Sequence, residues 1–297
     1  MTPTGDFLLR ASAAGETIRA LAALTTGVVE DGRQRHGTLP TATAALGRTL
    51  TAGLLLGATM KDEEKLSIEL VGDGPLRRVM VSTTGNGQVR GYVSRPETHL
   101  PSKNGKLDVA GAIGDGLLCV MRTQPWNKEP YRSVMKLVSG EIAQDITHYL
   151  VTSEQMPSAT ALGVFVNADG SVGAAGGFLV QILSGAADEL AGLIERNVAA
   201  LPHVTTLIRR GDGPREILGA VLDGLDVRWI AEEPVSFACP CTRDRVLGAL
   251  LLLGITEIEE MIQQDGQAEV RCEFCAEQYL VGRDELTMLI RDTEGSA

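Results

Sequence analysis

The sequence predicts an α+β fold with three parts: a mixed sheet and helix N-terminal domain, a helical linker and a small C-terminal domain. Three observations lead to this prediction. From Lys65 onward apolar and polar residues alternate, which is typical of half-buried strands. Near residue 180 the apolar period lengthens to that of a helix, and four of the five cysteines lie in the last fifth of the chain. We therefore place the domains at residues 1–179, 180–231 and 232–297.

The N-terminal domain begins with two predicted strands, one starting at Phe7 and one at Thr17. A helix is predicted over residues 41–60, because apolar side chains recur there at helical spacing. Thr41 is its expected N-cap, since a threonine hydroxyl can accept a hydrogen bond from the first free backbone amides.

Three glycine-containing dipeptides interrupt the region of alternating apolar and polar residues. They are Asp73-Gly74, Asn86-Gly87 and Asp169-Gly170. Such dipeptides adopt the positive φ that tight turns require, so each predicts a β-hairpin. The glycines match neither the dinucleotide-binding fingerprint nor the P-loop spacing, and a nucleotide-binding loop is therefore not expected.

Residues 180–231 are predicted to be helical. The first helix carries apolar residues at helical spacing, namely Ala187, Leu190, Ala191, Ile194 and Val198. Shorter helices are expected over residues 204–210 and 214–225. We interpret the apolar stripe as core or a docking face rather than a ligand groove.

The C-terminal domain should alternate helices and strands. We expect helices over residues 243–253 and 256–263, strands over 268–271 and 278–281, and a last helix from Arg283. The segment between the two strands then forms a turn that contains one pair of cysteines.

The cysteines form two close pairs, Cys239-Pro-Cys241 and Cys272-Glu-Phe-Cys275, with 30 residues between them. Two such pairs can supply four thiolates to one tetrahedral Zn²⁺ ion, which makes this a predicted zinc-binding domain. Four sulfur ligands would leave no open position for a catalytic water. Cys119 lies in an apolar run, where a cysteine is usually a small core residue, and we assign it no role.

Metal binding should dominate the stability of a domain this small. The binding free energy of a structural zinc ion is largely folding free energy, on the order of 10 kcal/mol. Disulfides within each pair would close loops of three or four residues and stabilise by about 1.5–2 kcal/mol, whereas a bridge across the spacer would give about 4 kcal/mol. We therefore expect a domain that is folded when reduced and metal-bound, and unfolded when oxidised.

The composition argues against several classes of protein. The 297 residues include 27 basic and 38 acidic side chains, and a net charge of −11 disfavours nucleic-acid partners. The longest near-continuous apolar run, residues 246–255, is shorter than the ~20 residues of a membrane span. The first residues carry no recognisable secretory signal. We expect a cytoplasmic protein with neither a nucleic-acid nor a membrane partner.

With these cysteine pairs the chain resembles the redox-regulated thirty-three-kilodalton heat-shock chaperones of bacteria over nearly its whole length. The spacing of the pairs is the most specific motif. Further matching motifs are Thr17-Ile-Arg-Ala, Thr43-Ala-Ala-Leu-Gly-Arg48 with Thr51-Ala52, Gly72-Asp-Gly-Pro75 and Ala175-Gly-Gly-Phe-Leu-Val-Gln181.

The resemblance implies a molecular chaperone that is not an enzyme and that holds unfolded or partly unfolded client proteins without ATP. It implies that the reduced, zinc-bound form is idle. Oxidation would release the zinc and pair Cys239 with Cys241 and Cys272 with Cys275. It would then unfold the zinc domain and linker, often giving a homodimer.

Three other functions fit a four-cysteine zinc site. An enzyme with a structural zinc ribbon is disfavoured because the common catalytic motifs are missing. A thiol–disulfide oxidoreductase would place Cys-x-x-Cys at a helix N-terminus rather than in a β-turn. A nucleic-acid-binding ribbon is disfavoured because acidic residues outnumber arginines in 232–297.

Overall fold

The computed structural model describes residues 5–61, 63–127 and 129–294, and these form the mixture of helices and sheets that the sequence predicts. They divide into two units, Met1–Ala238 and Cys239–Ala297. The elements of the first unit are, in chain order, β1 (Phe7–Ala13), β2 (Ile18–Leu24), α1 (Thr26–His36), α2 (Pro40–Gly57), β3 (Lys65–Gly72), β4 (Arg78–Thr84), β5 (Gln88–Val93), α3 (Val109–Ile113), β6 (Gly116–Thr123), β7 (Tyr131–Lys136), α4 (Ala143–Thr152), β8 (Ser158–Val166), β9 (Val172–Ile182), α5 (Asp188–Ala200), α6 (Val204–Arg209), α7 (Pro214–Val221), β10 (Val227–Pro234) and β11 (Ser236–Phe237). The second unit contains α8 (Arg243–Leu251), α9 (Ile255–Gln264), β12 (Gln267–Arg271), β13 (Gln278–Gly282) and α10 (Arg283–Glu294).

The core of the first unit is built around α2, which contacts strands of both sheets of that unit. One sheet has the antiparallel order β10-β1-β2-β9-β8, and the other has the order β11-β5-β4-β3-β6-β7. Every residue of α2 except Pro40 and Arg48 is buried. Small residues allow this close approach, since a Cβ on Gly47 would lie 2.5 Å from a methyl group of Val29.

The three glycine dipeptides lie in hairpins, as predicted. They join β3 to β4, β4 to β5 and β8 to β9. The turn chemistry differs in detail, because in Asn86-Gly87 only the glycine has a positive φ, of 79°. A single left-handed residue is sufficient in these longer turns.

One sequence prediction about the N-terminal helices is wrong, and one helix has no sequence prediction. Thr41 is not an N-cap: α2 begins at Pro40, and Leu39 occupies the N-cap position. Pro40 needs no hydrogen-bond partner for its nitrogen, so the helix starts earlier than the threonine suggests. The Thr41 hydroxyl instead accepts a hydrogen bond from the Leu100 amide at 3.1 Å. Helix α1 was not predicted, because few of its residues are apolar.

The segment 180–231 contains more than helices. Helices α5, α6 and α7 pack on the first sheet through Ile194, Leu207 and Leu218, so the apolar stripe is core. The segment also includes the end of β9 and the start of β10, which pairs with β1 at the sheet edge. Residues 232–238 continue through β10 and β11, and the second compact unit begins at Cys239.

The second unit is a two-stranded antiparallel sheet with three helices, close to the predicted elements. Its core is small. The buried apolar residues of this core are Val246, Leu250, Ile258, Ala268, Val281 and Leu286. Across the described parts of both units, no helix combines the length and apolar character that a membrane span requires.

Candidate metal centre

The second cysteine pair lies in the turn of the β12–β13 hairpin. The last paired residues of the strands are Arg271 and Gln278. Inside this limit the Cys272 amide donates to the Glu277 carbonyl at 2.9 Å, and the Ala276 amide donates to the Cys272 carbonyl at 2.8 Å. These bonds fold the turn back on itself, so that both cysteines of the pair are on the same short loop.

The first pair lies immediately before α8. Thr242 caps this helix, because its hydroxyl accepts a hydrogen bond from the Arg245 amide at 3.3 Å. The Arg245 guanidinium donates to the carbonyl of Pro240, between the two cysteines, at 2.8 Å. Arg243 donates to the Leu280 carbonyl of β13 at 2.8 Å. The start of α8 is thus tied both to the first cysteine loop and to the hairpin that carries the second.

The structure brings the four predicted cysteines into one cluster. The Sγ atoms of Cys239, Cys241, Cys272 and Cys275 all lie within 4.8 Å of one another. Two distances run between the pairs: 3.8 Å from Cys239 to Cys272, and 3.3 Å from Cys241 to Cys275. A tetrahedron of sulfurs bonded at about 2.3 Å to zinc has sulfur–sulfur edges of roughly 3.8 Å. The cluster therefore has the size and the soft donor set that fit a zinc ion.

Burial raises the pKa of the Cys275 thiol well above its usual value, and it also raises the pKa of Cys272. Backbone amides oppose this effect by hydrogen bonding to the two sulfurs, that of Glu277 to Cys275 and those of Cys275 and Phe274 to Cys272. Metal ligation requires thiolates, and a group of four anions, one buried and three half-buried, is costly without a cation among them. The geometry is therefore suited to a bound cation.

Tyr279 is a residue of the site that the sequence reasoning missed. Its hydroxyl donates to Cys241 Sγ at 3.2 Å, and this hydrogen bond, together with burial, raises the pKa of the phenol. The register of β13 places Tyr279 opposite Val270, on the strand that leaves the cysteine turn. The only sequence signal is its position one residue into that strand.

Cys119 lies apart in sequence and structure, on β6 of the first unit. Its sulfur accepts a hydrogen bond from Arg132 Nε at 3.3 Å. It is half-buried at the surface of the sheet rather than deep in the core, which departs from the interpretation as a core residue.

A comparison with sequence models of protein families identifies the family of this chain. The model described as Hsp33 protein matches residues 6–282. The chain belongs to the Hsp33 family. The resemblance indicated by the motifs is therefore confirmed.

The relatives of this Hsp33 chain are similar over their full length. It is 45% identical over 290 residues to the 33 kDa chaperonin of Desulforamulus reducens, covering 97% of this chain and 98% of that protein. It is 44% identical over 283 residues to the 33 kDa chaperonin of Bacillus subtilis, covering 95% and 97%. The crystal structure of the 33 kDa chaperonin (heat shock protein 33 homolog) from Thermotoga maritima matches with a TM-score of 0.90 at 35% identity, covering 97% and 99%.

These names describe chaperones rather than enzymes. The four-cysteine cluster fits the zinc binding and the redox-active disulfides that the sequence predicted. A family of chaperones implies partners that are unfolded client proteins.

Proposed function

We propose that this Hsp33 chain is a redox-controlled holdase, a chaperone without catalytic activity that binds unfolding proteins without ATP. The observation that carries the proposal is the cluster of four sulfurs in a unit with a small apolar core. A unit of this kind folds or unfolds according to the state of its sulfurs.

In the reduced form Cys239, Cys241, Cys272 and Cys275 would hold one Zn²⁺ ion as thiolates. The ion would neutralise the partly buried thiolates and link the loop before α8 to the β12–β13 turn. The chain prepares for this by its own contacts: Arg243 and Arg245 fix the first loop, and backbone amides donate to the sulfurs of the second. This closed form would be the idle state.

Oxidation would convert the four thiolates to two disulfides, Cys239 with Cys241 and Cys272 with Cys275. The step releases four electrons and the zinc ion. Two molecules of hydrogen peroxide accept the electrons and, with four protons, leave as four waters. This pairing leaves no covalent link between the two loops, so the short rings replace a long-range connection by two local ones.

Loss of that connection would unfold the second unit and then the linker of residues 180–231. Unfolding exposes the apolar side chains that the folded form buries, including Leu250 and Ile258 in the second unit and Ile194 and Leu218 in α5 and α7. Apolar area on a chain of net charge −11 could hold a client while the complex stays dispersed.

We further propose that the three predicted parts are functional units: 1–179 as the chaperone core domain, 180–231 as the linker and 232–297 as the redox-switch domain. The active form would be a homodimer in the cytoplasm, with no nucleic-acid or membrane partner.

The test uses the full chain, reduced and loaded with zinc. Hydrogen peroxide is added at elevated temperature, zinc release is followed with a chromophoric chelator, and light scattering follows the aggregation of a thermally unfolding client. We expect suppression of aggregation only after zinc release. Cys119→Ser is the matched control and should behave like the natural sequence.

Two results would overturn the proposal. One is zinc release that leaves client aggregation unchanged. The other is catalytic turnover of a small disulfide substrate, which would identify a thiol–disulfide oxidoreductase. Peptide mass spectrometry of the oxidised chain tests the pairing, and a cross-link between the two pairs would contradict it.

A further inference from the structure

A cavity of about 940 Å³ lies within the first unit, and its lining includes residues of α2, α4 and β8. The loop that follows β5, Val198 and residues 201–205 also line it. Cavities of several hundred cubic ångströms that combine apolar walls with a few fixed polar groups are typical of small-molecule sites. The cysteines of the metal centre are not among its lining residues.

One largely buried cation, Arg48, lies in the wall of this cavity. The Arg48 side chain is only 12% exposed, on a helix whose other residues except Pro40 are fully buried. Its Nη1 donates to Glu141 Oε2 at 2.7 Å, whereas its Nε has no hydrogen-bond partner. A guanidinium can bind a carboxylate through two parallel hydrogen bonds, and here only one is formed. A buried donor without a partner is destabilising, so this arginine is incompletely satisfied.

Glu141 is held at the cavity by a strained turn. The next residue, Ile142, is fully buried with φ 59° and ψ −57°, a conformation that β-branched residues avoid. The Ala143 amide donates to the Glu141 carbonyl at 2.6 Å, which closes a three-residue turn. The Glu141 side chain is nevertheless 45% exposed. Strain of this kind is concentrated at functional sites, and here it places an exchangeable carboxylate in front of a buried arginine.

The remaining lining contains both basic and apolar side chains. Lys106, His99 and His203 are the other basic side chains, and Glu141 is the one carboxylate among the described lining residues. Leu162, Val164 and other apolar residues of β8 provide a surface without charge. Thr160 of the same strand has a buried hydroxyl without a partner. The complementary ligand has one anionic head group and an apolar body.

We propose that this cavity binds a small amphipathic carboxylate of the medium-chain fatty-acid class. The ligand carboxylate displaces the Glu141 side chain and accepts hydrogen bonds from both Nη1 and Nε of Arg48, while the alkyl chain lies along β8. Lys106 contributes attraction at the rim. Since residues 198–205 belong to the segment that unfolds in the proposed function, a bound ligand would stabilise the idle form; this second consequence rests on that function.

The experiment titrates decanoate, below its micelle concentration, into the full reduced chain by isothermal titration calorimetry. We expect saturable binding at one site per chain. Decanol, which lacks the charge, should bind at least tenfold more weakly, and inorganic phosphate, which lacks the alkyl chain, should not bind measurably.

Variants separate the head-group contact from apolar binding. Arg48→Gln should weaken decanoate binding roughly tenfold to a hundredfold, as expected for a lost charge-assisted contact. Glu141→Gln should tighten binding roughly threefold to tenfold, because it removes a competing and repelling anion. Lys106→Gln, at an exposed residue, should weaken it roughly threefold. Arg95→Gln, at an exposed arginine outside the cavity, is the control and should have no effect.

The opposite signs for the Arg48 and Glu141 variants are the decisive result. The proposal is overturned if decanoate shows no saturable binding, if decanol binds equally well, or if Glu141→Gln weakens binding. Should Arg48→Gln fail to fold, the Glu141 and Lys106 variants still decide. Binding is measured without oxidation or client, so failure of the holdase test would leave this result unaffected.

Discussion

The two units of the molecule are stabilised in different ways. In the first, α2 is surrounded by two sheets, and side chains such as Leu46, Leu50 and Leu55 are fully buried. Among the described residues of the second, six buried apolar side chains form the core, while Leu252 is 89% exposed. Apolar burial is expected to be sufficient for the first unit, whereas the proposed function makes the second dependent on its sulfur cluster. The switch is therefore expected in the unit with the smaller core.

The largest effect should come from Cys275→Ser. Loss of one ligand should abolish zinc binding and remove stabilisation on the order of 10 kcal/mol, so that the second unit unfolds. Circular dichroism should show the loss of α8, α9 and α10. Of the two tryptophans, Trp229 lies in the segment 180–231 that unfolds after the second unit in the proposed function, whereas Trp126 lies outside it. In a Trp229→Phe background the fluorescence of Trp126 should therefore not change. Cys119→Ser is the control and should retain zinc. A second unit that stays folded in the metal-free Cys275→Ser variant would show that its stability does not depend on the sulfur cluster.

The reverse case is Leu50→Ala in the first unit. Because Leu50 is completely buried in α2, the cavity left behind should cost about 2–5 kcal/mol. Urea unfolding followed by tryptophan fluorescence measures this cost, and zinc content should be unchanged. Leu252→Ala, at an exposed position, should change stability by less than about 0.5 kcal/mol. Zinc loss on truncating Leu50 would indicate that the units are not independent.

Lowering the pH should reduce the free energy of unfolding of the first unit, because the Glu30 carboxylate becomes protonated. The Arg33 guanidinium and the Val172 amide hold its pKa at about 2, below its ordinary value of 4.5. A lowered pKa stabilises the fold above pH 4.5, and this contribution disappears as the pH falls toward 2. Glu30→Gln should therefore cost about 1–3 kcal/mol at pH 7 and progressively less below pH 4.

Tryptophan fluorescence during urea unfolding at pH 7 and pH 3 checks this difference. Glu97→Gln is the control, because its ion pair with Arg95 is exposed and 4.0 Å long. A cost for the Glu30 variant that stays constant between the two pH values would contradict the assigned role.

The smallest effect concerns the metal centre itself. Tyr279→Phe removes the hydroxyl that donates to Cys241 and should lower zinc affinity by roughly fivefold to tenfold, or about 1 kcal/mol. Chelator competition measures the affinity. Tyr131→Phe, at an exposed residue of the first unit, should leave it unchanged. Equal affinities of the Tyr279 variant and the natural sequence would make this contact irrelevant to metal binding.

Local patterns predicted much of this fold. Alternation and turn dipeptides identified the hairpins, and cysteine spacing identified the cluster, because both depend on residues close in sequence. What the sequence could not reveal depends on distant partners. Thr41 bonds to Leu100 rather than capping its helix, and Tyr279 reaches Cys241 across 38 residues.

The pairing of Arg48 with Glu141 spans 93 residues and has no sequence signal at all. A single arginine in an apolar helix indicates only that some partner is needed. Its identity follows from the packing of α2 against elements that come much later in the chain.

The chain leaves the first unit through two edge strands. Among the described strands, β10 pairs with β1 alone, and β11, two residues long, pairs with β5 alone. Only Ala238 separates β11 from Cys239. Residues 227–237 can therefore detach strand by strand while the interior pairs of both sheets remain intact. Deuterium uptake after metal loss should spread backward from Phe237 toward Val227. The order of the two edge strands along the chain thus sets the direction in which this segment opens.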